Sequence, residues 1–295
     1  MNFNIVLHQL DIPKFKIFNA YVEVIESLQW ALRELGHSCS ISRNTIDKEA
    51  RNIVFGWEVA FQFFDLLHMD LSTVFPEDTI LFNLEQHHGQ DISKFRRLTL
   101  AAQTYEIWDY SYANIEAWNR VSPKRSIFHC PIGYSPTLEK IPQKTEDIDA
   151  AFIGRLDEYR FKVIKDFHAH HNGIGISTYA NVWGSTRDDL IARTKVLLNI
   201  SSGNPVMYNI FEIVRASYYF ANRKAVVCEG NDHLFMDEYL KGNVFINQGE
   251  EFAKIIEWLC NNDSERKAYA ENCYEIFKQQ DFRNTVGKYF VSDRI

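Results

Sequence analysis

The segment "NIFEIVRASYYFANRKAVVCEG" (209–230) places an acid and a base, Glu212 and Arg215, at the start of a predicted helix. The first amide N–H groups of a helix have no partners within the helix and carry partial positive charge. An arginine one turn in would add a charged donor, so a diphosphate could dock there. Glu212 cannot bind phosphate, but it can accept hydrogen bonds from sugar or ribose hydroxyls. An ion pair on an ordinary surface helix would explain the same two residues.

Other polar residues in this half of the chain also stand where a predicted strand ends. Gly154 would let the backbone approach a ligand and Arg155 would add a cation, although a tight turn with a solvated arginine has the same sequence. Tyr179 could stack on a nucleobase or pack within its own domain. Glu229 could accept a hydroxyl hydrogen bond or be an ordinary loop acid. The candidate residues of this site are Gly154, Arg155, Tyr179, Ser201, Asn209, Glu212, Arg215 and Glu229.

The first half of the chain carries a dense polar cluster after an apolar segment, in "FNLEQHHGQ" (82–90). Glu85, His87 and His88 have the side chains that general acid–base catalysis uses, although a solvated turn has a similar composition. "FGWE" (55–58) ends another predicted strand and is expected to expose its second and third residues to a ligand. The further candidates of this second site are Gly56, Trp57, Gln86 and His88.

Composition narrows the class of protein. Of the 295 residues, 46% are hydrophobic and 24% are charged, as in soluble globular proteins, and the net charge of -7 argues against a nucleic-acid partner. Five cysteines without CxxC spacing predict buried thiols. "DID" (147–149) starts a strand and "HAHH" (168–171) ends a helix, so we predict no metal site and no cofactor. The sequence has no signal-peptide pattern and no apolar run of membrane-spanning length, so the cytoplasm is the expected location.

Apolar segments alternate with amphipathic segments in two series. The first series has predicted strands at 3–10, 52–57, 79–85, "YEIWDYS" and "SIFHCPI", and helices at 17–36 and 113–120. The second has predicted strands at 147–154, 173–178, 195–201, "KAVVCE" and "GNVFIN", and helices at 158–171, at 185–194, after residue 209, and from the last strand to the end. Ser185 and Asp188 are predicted to form a capping box. Strands that alternate with helices predict parallel sheets covered on both faces.

The two series predict an α/β chain of two doubly wound, Rossmann-like domains that face each other across a cleft. "GYSPTLEKIPQKTED" (133–147) has two prolines and mixed charge, and is the expected linker. We expect one domain at 1–135 and the other at 146–280, with a helix at 281–295 that packs back on the first domain. Ligands of open α/β sheets bind beyond the carboxyl ends of the strands, where the candidate residues stand.

The second half of the chain resembles the C-terminal domain of bacterial glycosyltransferases with the GT-B fold, particularly the group-1-like enzymes. The resemblance rests on "DIDAAFIGRLDEYR", "VWGSTRDDLIARTKVLLNIS" and "FEIVRASYYFANRKAVVCEG". In the first half, "ILFNLEQ", "IWDYSYANIEAW" and "CPIGYSPTLEKI" are similar to first domains of this group. The best-known subgroup has two glutamates seven residues apart, whereas here Tyr219 stands seven residues after Glu212.

The resemblance implies transfer of a sugar from a nucleotide-diphosphate sugar to an acceptor hydroxyl, without metal, in surface glycan or lipopolysaccharide synthesis. The second domain would bind the donor and the first a glycan or lipid-linked acceptor, with peripheral contact at the inner face of the membrane allowed. The catalytic candidates are Glu85, His87, Arg155 and Glu212. Retention and inversion at the anomeric carbon stay open. The alternatives are a sugar- or nucleotide-binding protein without chemistry and a nucleotide-sugar epimerase.

Overall fold

The computed structural model describes residues 1–9, 17–87, 92–170, 173–202, 209–231 and 233–292. The chain divides into two compact units, each built around its own parallel sheet. Unit 1 comprises Met1–Ser135 and Asp281–Ile295, and unit 2 comprises Pro136–Gln280.

Unit 1 is built on a six-stranded parallel sheet. Its strands are β1 (Asn2–Leu7), β2 (Ser38–Arg43), β3 (Arg51–Phe55), β4 (Ile80–Asn83), β5 (Glu106–Asp109) and β6 (Ile127–His129). They lie in the order β2-β1-β3-β4-β5-β6, so the chain adds β2 on one side of β1 and the other strands on the opposite side. The central strands are nearly continuous apolar runs because helices cover both faces of the sheet.

Among the described residues before residue 135, four α-helices connect these strands. They are α1 (Val22–Glu34), α2 (Trp57–Leu66), α3 (Arg96–Thr104) and α4 (Tyr112–Asn119). The sequence did not predict β2, whose polar residues and exposed positions are those of an edge strand. Gly56 takes a left-handed conformation (φ 72°) and starts α2 directly after β3. The expectation that Trp57 is exposed is wrong, because its indole is fully buried in the core beside Phe61 and Trp118.

Unit 2 is built on a five-stranded parallel sheet. Its strands are β7 (Ile148–Ile153), β8 (Ile176–Tyr179), β9 (Thr194–Ile200), β10 (Ala225–Glu229) and β11 (Phe245–Asn247). Its helices are α5 (Glu158–His170), α6 (Gly184–Arg193), α7 (Ile213–Ala221), α8 (Gly249–Asn261) and α9 (Asp263–Lys278). In the order β11-β10-β9-β7-β8, the chain first adds β8 on one side of β7 and then adds β9, β10 and β11 on the other side. The order of winding therefore reverses between the neighbouring strands β7 and β9. Such a switch point is where open α/β sheets bind ligands.

Of two local predictions, the one for the α6 capping box is wrong and the one for the cysteines is confirmed. The capping box is wrong: α6 begins after Trp183 without a side-chain cap, and Asp188 instead pairs with the neighbouring Arg187 (Nη2–Oδ1 3.2 Å). The cysteine prediction is confirmed, because all five are free and buried. The carboxylates of "DID" form ion pairs at the amino end of β7 with cations at the amino end of β9: Asp147 with Arg193 and Asp149 with Lys195.

The last helix, α10 (Phe282–Ser292), belongs to unit 1 and packs against α1. Tyr289 of α10 joins Arg51 and Glu106 in a half-buried polar group, with its hydroxyl 2.6 Å from Arg51 Nη1 and 3.1 Å from Glu106 Oε2. Within the described ranges, none of the helices combines the length and the apolar character that crossing a bilayer requires.

Within unit 2, Asn222 ties the segment before β7 to the end of α7. Its Nδ2 donates to the carbonyls of Leu138 (2.8 Å) and Tyr218 (2.7 Å). Its Oδ1 accepts from the amides of Lys140 (3.0 Å) and Ile141 (2.8 Å). The side chain is buried, so these four bonds use all of its hydrogen-bonding capacity away from water.

Replacing Asn222 by alanine should therefore lower the free energy of unfolding by about 3 kcal/mol, because buried backbone groups lose their partners. Urea unfolding followed by circular dichroism measures the change. Asn261→Ala, at the exposed end of α8, is the matched control and should change stability by less than about 0.5 kcal/mol. Equal effects of the two substitutions would contradict a tethering role.

Candidate functional site

The switch point of unit 2 brings several of the predicted residues together. Gly154 follows β7, and Asn199 and Ser201 stand at the end of the neighbouring β9. Glu212 is the N-cap residue of α7, and Arg215 lies in the first turn of that helix. The carboxyl ends of β7 and β9 and the amino end of α7 thus form one polar edge.

Arg215 is fixed at this edge by two contacts. Its Nη1 donates to Asn199 Oδ1 at 3.0 Å, and its guanidinium lies 5.1 Å from the centre of the Phe152 ring. Gly154 leaves the space that this arrangement needs. A Cβ atom there would lie 3.2 Å from Phe152 Cζ and 3.4 Å from Arg215 Nη2, so a side chain would crowd the guanidinium.

A second arginine, Arg160, occupies the same edge and was missed by the sequence analysis. Its side chain is 5% exposed, and its guanidinium lies 5.2 Å from the same Phe152 ring. Nε donates to the carbonyl of Ile200 and Nη1 to that of Arg155, both at 3.0 Å. Burial and the charge of Arg215 lower the pKa of Arg160 to about 10, so it remains charged near neutral pH.

Acidic groups offset part of this positive charge. Arg160 lies 3.6 Å from Glu212 (Nη2–Oε1) and 3.6 Å from Asp157 (Nη1–Oδ2). Asn199 Nδ2 and Ser201 Oγ are buried and have no hydrogen-bond partner among the described residues. Two guanidinium groups beside unused polar atoms and a helix start are an arrangement that an anion with several oxygens can satisfy.

The other predicted residues of this half contribute less directly. The Arg155 side chain is exposed and has no hydrogen bond or ion pair within the described part of the chain. The buried cation of this edge is Arg160. Tyr179 is half-buried at the end of β8, and its carbonyl accepts from the Gly154 amide. The Asn209 carbonyl accepts from the amide of Phe235 before α7.

Glu229, at the end of β10, is buried and lies at the same edge of the sheet. The Tyr159 hydroxyl donates to its Oε1 at 2.9 Å. Burial raises the pKa of Glu229, and this hydrogen bond opposes the rise. The carboxylate keeps acceptor capacity for a ligand hydroxyl.

Unit 1 carries an acidic edge of its own. Glu85 follows β4, is exposed, and accepts a hydrogen bond from the Tyr21 hydroxyl at 2.8 Å. Glu58, in the first turn of α2 after the neighbouring β3, was not among the predicted residues. Burial, together with the charge of Glu85, raises the pKa of Glu58 well above its usual range. The pKa of Tyr21 is also raised, by burial and by both carboxylates.

His87 is a packed side chain in this structure. Its ring is 6% exposed and meets the Trp118 ring edge-on, with centroids 5.0 Å apart. Burial, with the charge of Arg97, lowers the pKa of His87 to about 4, so the imidazole is neutral at pH 7. Gln86 beside it is half-buried, Gly56 lies at the N-cap of α2, and His88 lies outside the described residues. In the described ranges, no three His, Cys, Asp or Glu side chains are grouped to hold a metal ion.

Crystal structures that match almost the whole chain include the following three. T4 phage BGT, in complex with its UDP-glucose substrate, has a TM-score of 0.60 at 10% identity over 98% of this chain and 99% of that chain. WaaG, a glycosyltransferase involved in lipopolysaccharide biosynthesis, has a TM-score of 0.59 at 9% identity over 98% of each chain. Anabaena Alr3699/HepE in complex with UDP-glucose has a TM-score of 0.57 at 10% identity over 98% of this chain and 99% of that chain.

This chain has the GT-B fold. The fold class predicted from the sequence, with two Rossmann-like parallel sheets, is confirmed. No protein-family model matches the chain. A stretch of 140 residues is 30% identical to uncharacterized protein L140 of Acanthamoeba polyphaga mimivirus and covers 45% of this chain. The match spans 42% of that viral protein, less than half of its length.

The buried His87 of this GT-B chain predicts acid sensitivity. A histidine with a folded pKa below its unfolded value stabilises the fold above pH 6.5, and this contribution is lost as the pH falls toward 4. Between pH 7 and pH 5, His87 should therefore cost about 2 kcal/mol of unfolding free energy.

Urea unfolding at the two pH values measures this loss. His87→Phe keeps an aromatic ring beside Trp118 but cannot titrate, so its stability should fall by about 2 kcal/mol less than that of the original chain. The control His68→Asn changes an exposed histidine with a positive φ, which asparagine tolerates, and should keep the original pH dependence. An unchanged acid sensitivity in His87→Phe would contradict the prediction.

Proposed function

We propose that this protein is a glycosyltransferase that moves a sugar from a nucleotide-diphosphate sugar to an acceptor hydroxyl. The observation that carries the proposal is the pair of guanidinium groups, Arg160 and Arg215, held against one Phe152 ring at the start of α7. Like charges that are held together raise each other's energy, and a bound diphosphate would relieve this repulsion.

The same edge supports roles for the individual side chains. Arg160, Arg215 and the first amides of α7 would stabilise the charge that develops on the leaving diphosphate, without a metal ion. Asn199 Nδ2 and Ser201 Oγ would supply neutral donors to phosphate oxygens. Glu212 and Glu229 would accept hydrogen bonds from sugar and ribose hydroxyls. Arg155, which is exposed, would reach the ligand only from solvent.

UDP-glucose is the first donor to test. T4 phage BGT and Alr3699/HepE each have a structure in complex with UDP-glucose. At 10% identity this likeness shows the fold alone, so UDP-glucose is a hypothesis for this chain. WaaG acts in lipopolysaccharide biosynthesis, which supports a glycan or lipid-linked acceptor.

Calorimetric titration with UDP-, GDP-, CDP- and ADP-sugars, with and without EDTA, tests the donor site. One nucleotide sugar should bind in both conditions. Arg215→Ala removes a charge-assisted contact worth roughly 1.5–3 kcal/mol, so it should weaken that binding about 10- to 100-fold. Donor hydrolysis would distinguish a transferase from a protein that only binds.

Arg193→Ala is the matched control for this experiment. Arg193 is an arginine of the same unit that pairs with Asp147 beyond the amino end of β9, away from the proposed site. Its replacement should leave donor affinity unchanged. If Arg215→Ala retains full affinity while folded, or if no nucleotide sugar binds to the original chain, the proposal is wrong.

Unit 1 also presents an exposed apolar surface that supports the proposal of peripheral membrane contact. Phe63, Leu66 and Leu67 lie on one face of the end of α2 and the residue after it, and Leu66 is 72% exposed. Arg96 of α3 pairs with Asp65 beside this face, and Lys94 precedes it in sequence. Apolar side chains flanked by cations suit the surface of anionic lipid at the inner face of a membrane.

Co-sedimentation with vesicles tests this contact. Vesicles that contain phosphatidylglycerol should bind the protein more strongly than vesicles of phosphatidylcholine alone, because the cations contribute. Leu66→Glu should reduce binding at least about fivefold through lost apolar burial and added negative charge. Val291→Glu, at an equally exposed apolar position on α10, is the control. Equal binding by both variants would count against the proposed surface.

A further inference from the structure

Two helices of unit 2 begin at the polar edge of its sheet, and an acid stands directly before each of them. Asp157 precedes α5, and Glu212 is the N-cap residue of α7. A carboxylate at such a position ordinarily accepts from an amide of the first helical turn, and so satisfies one of the unpaired N–H groups there. The two acids differ in whether they make this bond.

Asp157 caps its own helix. Its Oδ1 accepts from the Arg160 amide at 2.9 Å, and its Oδ2 accepts from the Ser202 hydroxyl at 2.8 Å. Partial burial would raise the pKa of Asp157, but these bonds and the charge of Arg160 hold it below its usual range. The Asp157 carboxylate is therefore committed to the start of α5 and to the residues that follow β9.

The Glu212 carboxylate does not cap α7. In the part of unit 2 that the structure describes, no side-chain capping bond is made at this helix start, and the amide of Val214 has no hydrogen-bond partner. Glu212 Oε1 instead lies 3.6 Å from Arg160 Nη2. Because a charge-assisted hydrogen bond spans only about 2.7–2.9 Å, this contact is a charge interaction that leaves both groups able to bind a ligand.

The charge of Glu212 reaches the groups that would bind the diphosphate. Burial and the charge of Arg215 lower the pKa of Arg160, and the charge of Glu212 opposes this fall. Burial and the charges of Glu229 and Glu212 raise the pKa of the Cys228 thiol, in β10. Glu212 is thus close both to Arg160 and to the end of β10, so an anion bound at the start of α7 lies next to a fixed negative charge.

The donor and the nucleotide product of the proposed reaction differ in charge at this position. The terminal phosphate of a free nucleoside diphosphate loses a second proton near a pH of about 6, whereas the same phosphate esterified to a sugar has no such proton. At higher pH the free diphosphate therefore carries the greater negative charge, which a nearby carboxylate repels. The sugar ester instead brings hydroxyl groups, which donate hydrogen bonds to a carboxylate.

We propose that Glu212 shifts the preference of the unit 2 site from the free nucleoside diphosphate toward the sugar-bearing diphosphate, and so favours release of the nucleotide product. This inference rests on the proposed glycosyl transfer and concerns unit 2 alone. When the product leaves, the Glu212 carboxylate remains as an acidic partner for Arg160 and for the open start of α7. An acid that was needed only to stabilise α7 would accept from its first amides, as Asp157 does for α5.

Calorimetric titration of the full chain with UDP and with UDP-glucose tests this preference. If another nucleotide sugar binds in the donor screen, it and its free diphosphate take their place. Glu212→Gln keeps the size of the side chain and an accepting oxygen but removes the charge. It should bind the free diphosphate about 5- to 20-fold more tightly, while the Kd of the nucleotide sugar changes less than about threefold. The ratio of the two Kd values is the readout, because a damaged fold would weaken both ligands together.

Asp189→Asn is the matched control. It removes the same charge from unit 2, at a carboxylate of α6 that pairs with Lys144 and Arg193. The ratio of the two Kd values should stay within about twofold of the original. Donor hydrolysis gives an independent readout, because the inhibition constant of the free diphosphate should fall in Glu212→Gln by the same 5- to 20-fold, about as far as its Kd.

The outcomes separate this inference from the function on which it rests. If folded Glu212→Gln binds the free diphosphate no more tightly than the original chain does, the role of Glu212 is overturned. An equal gain for both ligands also overturns it, because Glu212 would then repel every diphosphate without selecting the sugar ester. So does an equal change of the ratio in Asp189→Asn. If the original chain binds neither free diphosphates nor nucleotide sugars, the proposed function fails as well.

Discussion

The contact of two guanidinium groups with one phenyl ring is the constraint on which the unit 2 site depends. Arg160 and Arg215 each lie about 5 Å from the centre of Phe152, so their charges act on each other. This repulsion is offset in part by a carbonyl oxygen that accepts from Arg160, by Asn199, which accepts from Arg215, and by two carboxylates 3.6 Å from Arg160. The arrangement holds because β7 and β9 are neighbours at the switch point and because residue 154 has no side chain. A strand order without that reversal would separate the residues that confine the two cations.

Some of these features could be predicted from the sequence and others could not. Apolar runs bounded by turns identified the buried strands, and the position after a strand identified Gly154, Glu212 and Arg215 as candidates. Arg160 was not predictable from this rule because it lies inside a helical segment, where an arginine usually faces solvent. Whether it points toward the sheet depends on how α5 packs, which is a tertiary property. The edge strand β2 was not predicted either, because its polar residues do not form the apolar run that identifies a buried strand.

In unit 1, the sequence predicted a functional residue but not the residues that hold it. Glu85 was predicted from its place after β4, but the residues that hold it come from β4, β5 and α4. Each of Asn83, Asp109 and Asn114 is an ordinary polar residue at the end of a strand or in a helix, and no spacing in the sequence links them. His87 and Trp57 were assigned to a ligand because they follow predicted strands, and the structure buries both rings. Position in the sequence thus predicted which edge of the sheet carries the polar residues. The burial of each side chain, which depends on tertiary packing, could not be predicted in this way.

Asp109 and Arg160 are buried ionisable residues of opposite charge. Each is an ion removed from water, and burial shifts the pKa of each toward neutrality, to about 6 for the acid and about 10 for the base. Both remain charged between those values because several hydrogen bonds replace the lost water. An apolar side chain could fill either position without that cost, so packing alone does not explain the two ions. The charge of Arg160 has a use if unit 2 stabilises the negative charge of a leaving diphosphate, which the proposed sugar transfer requires.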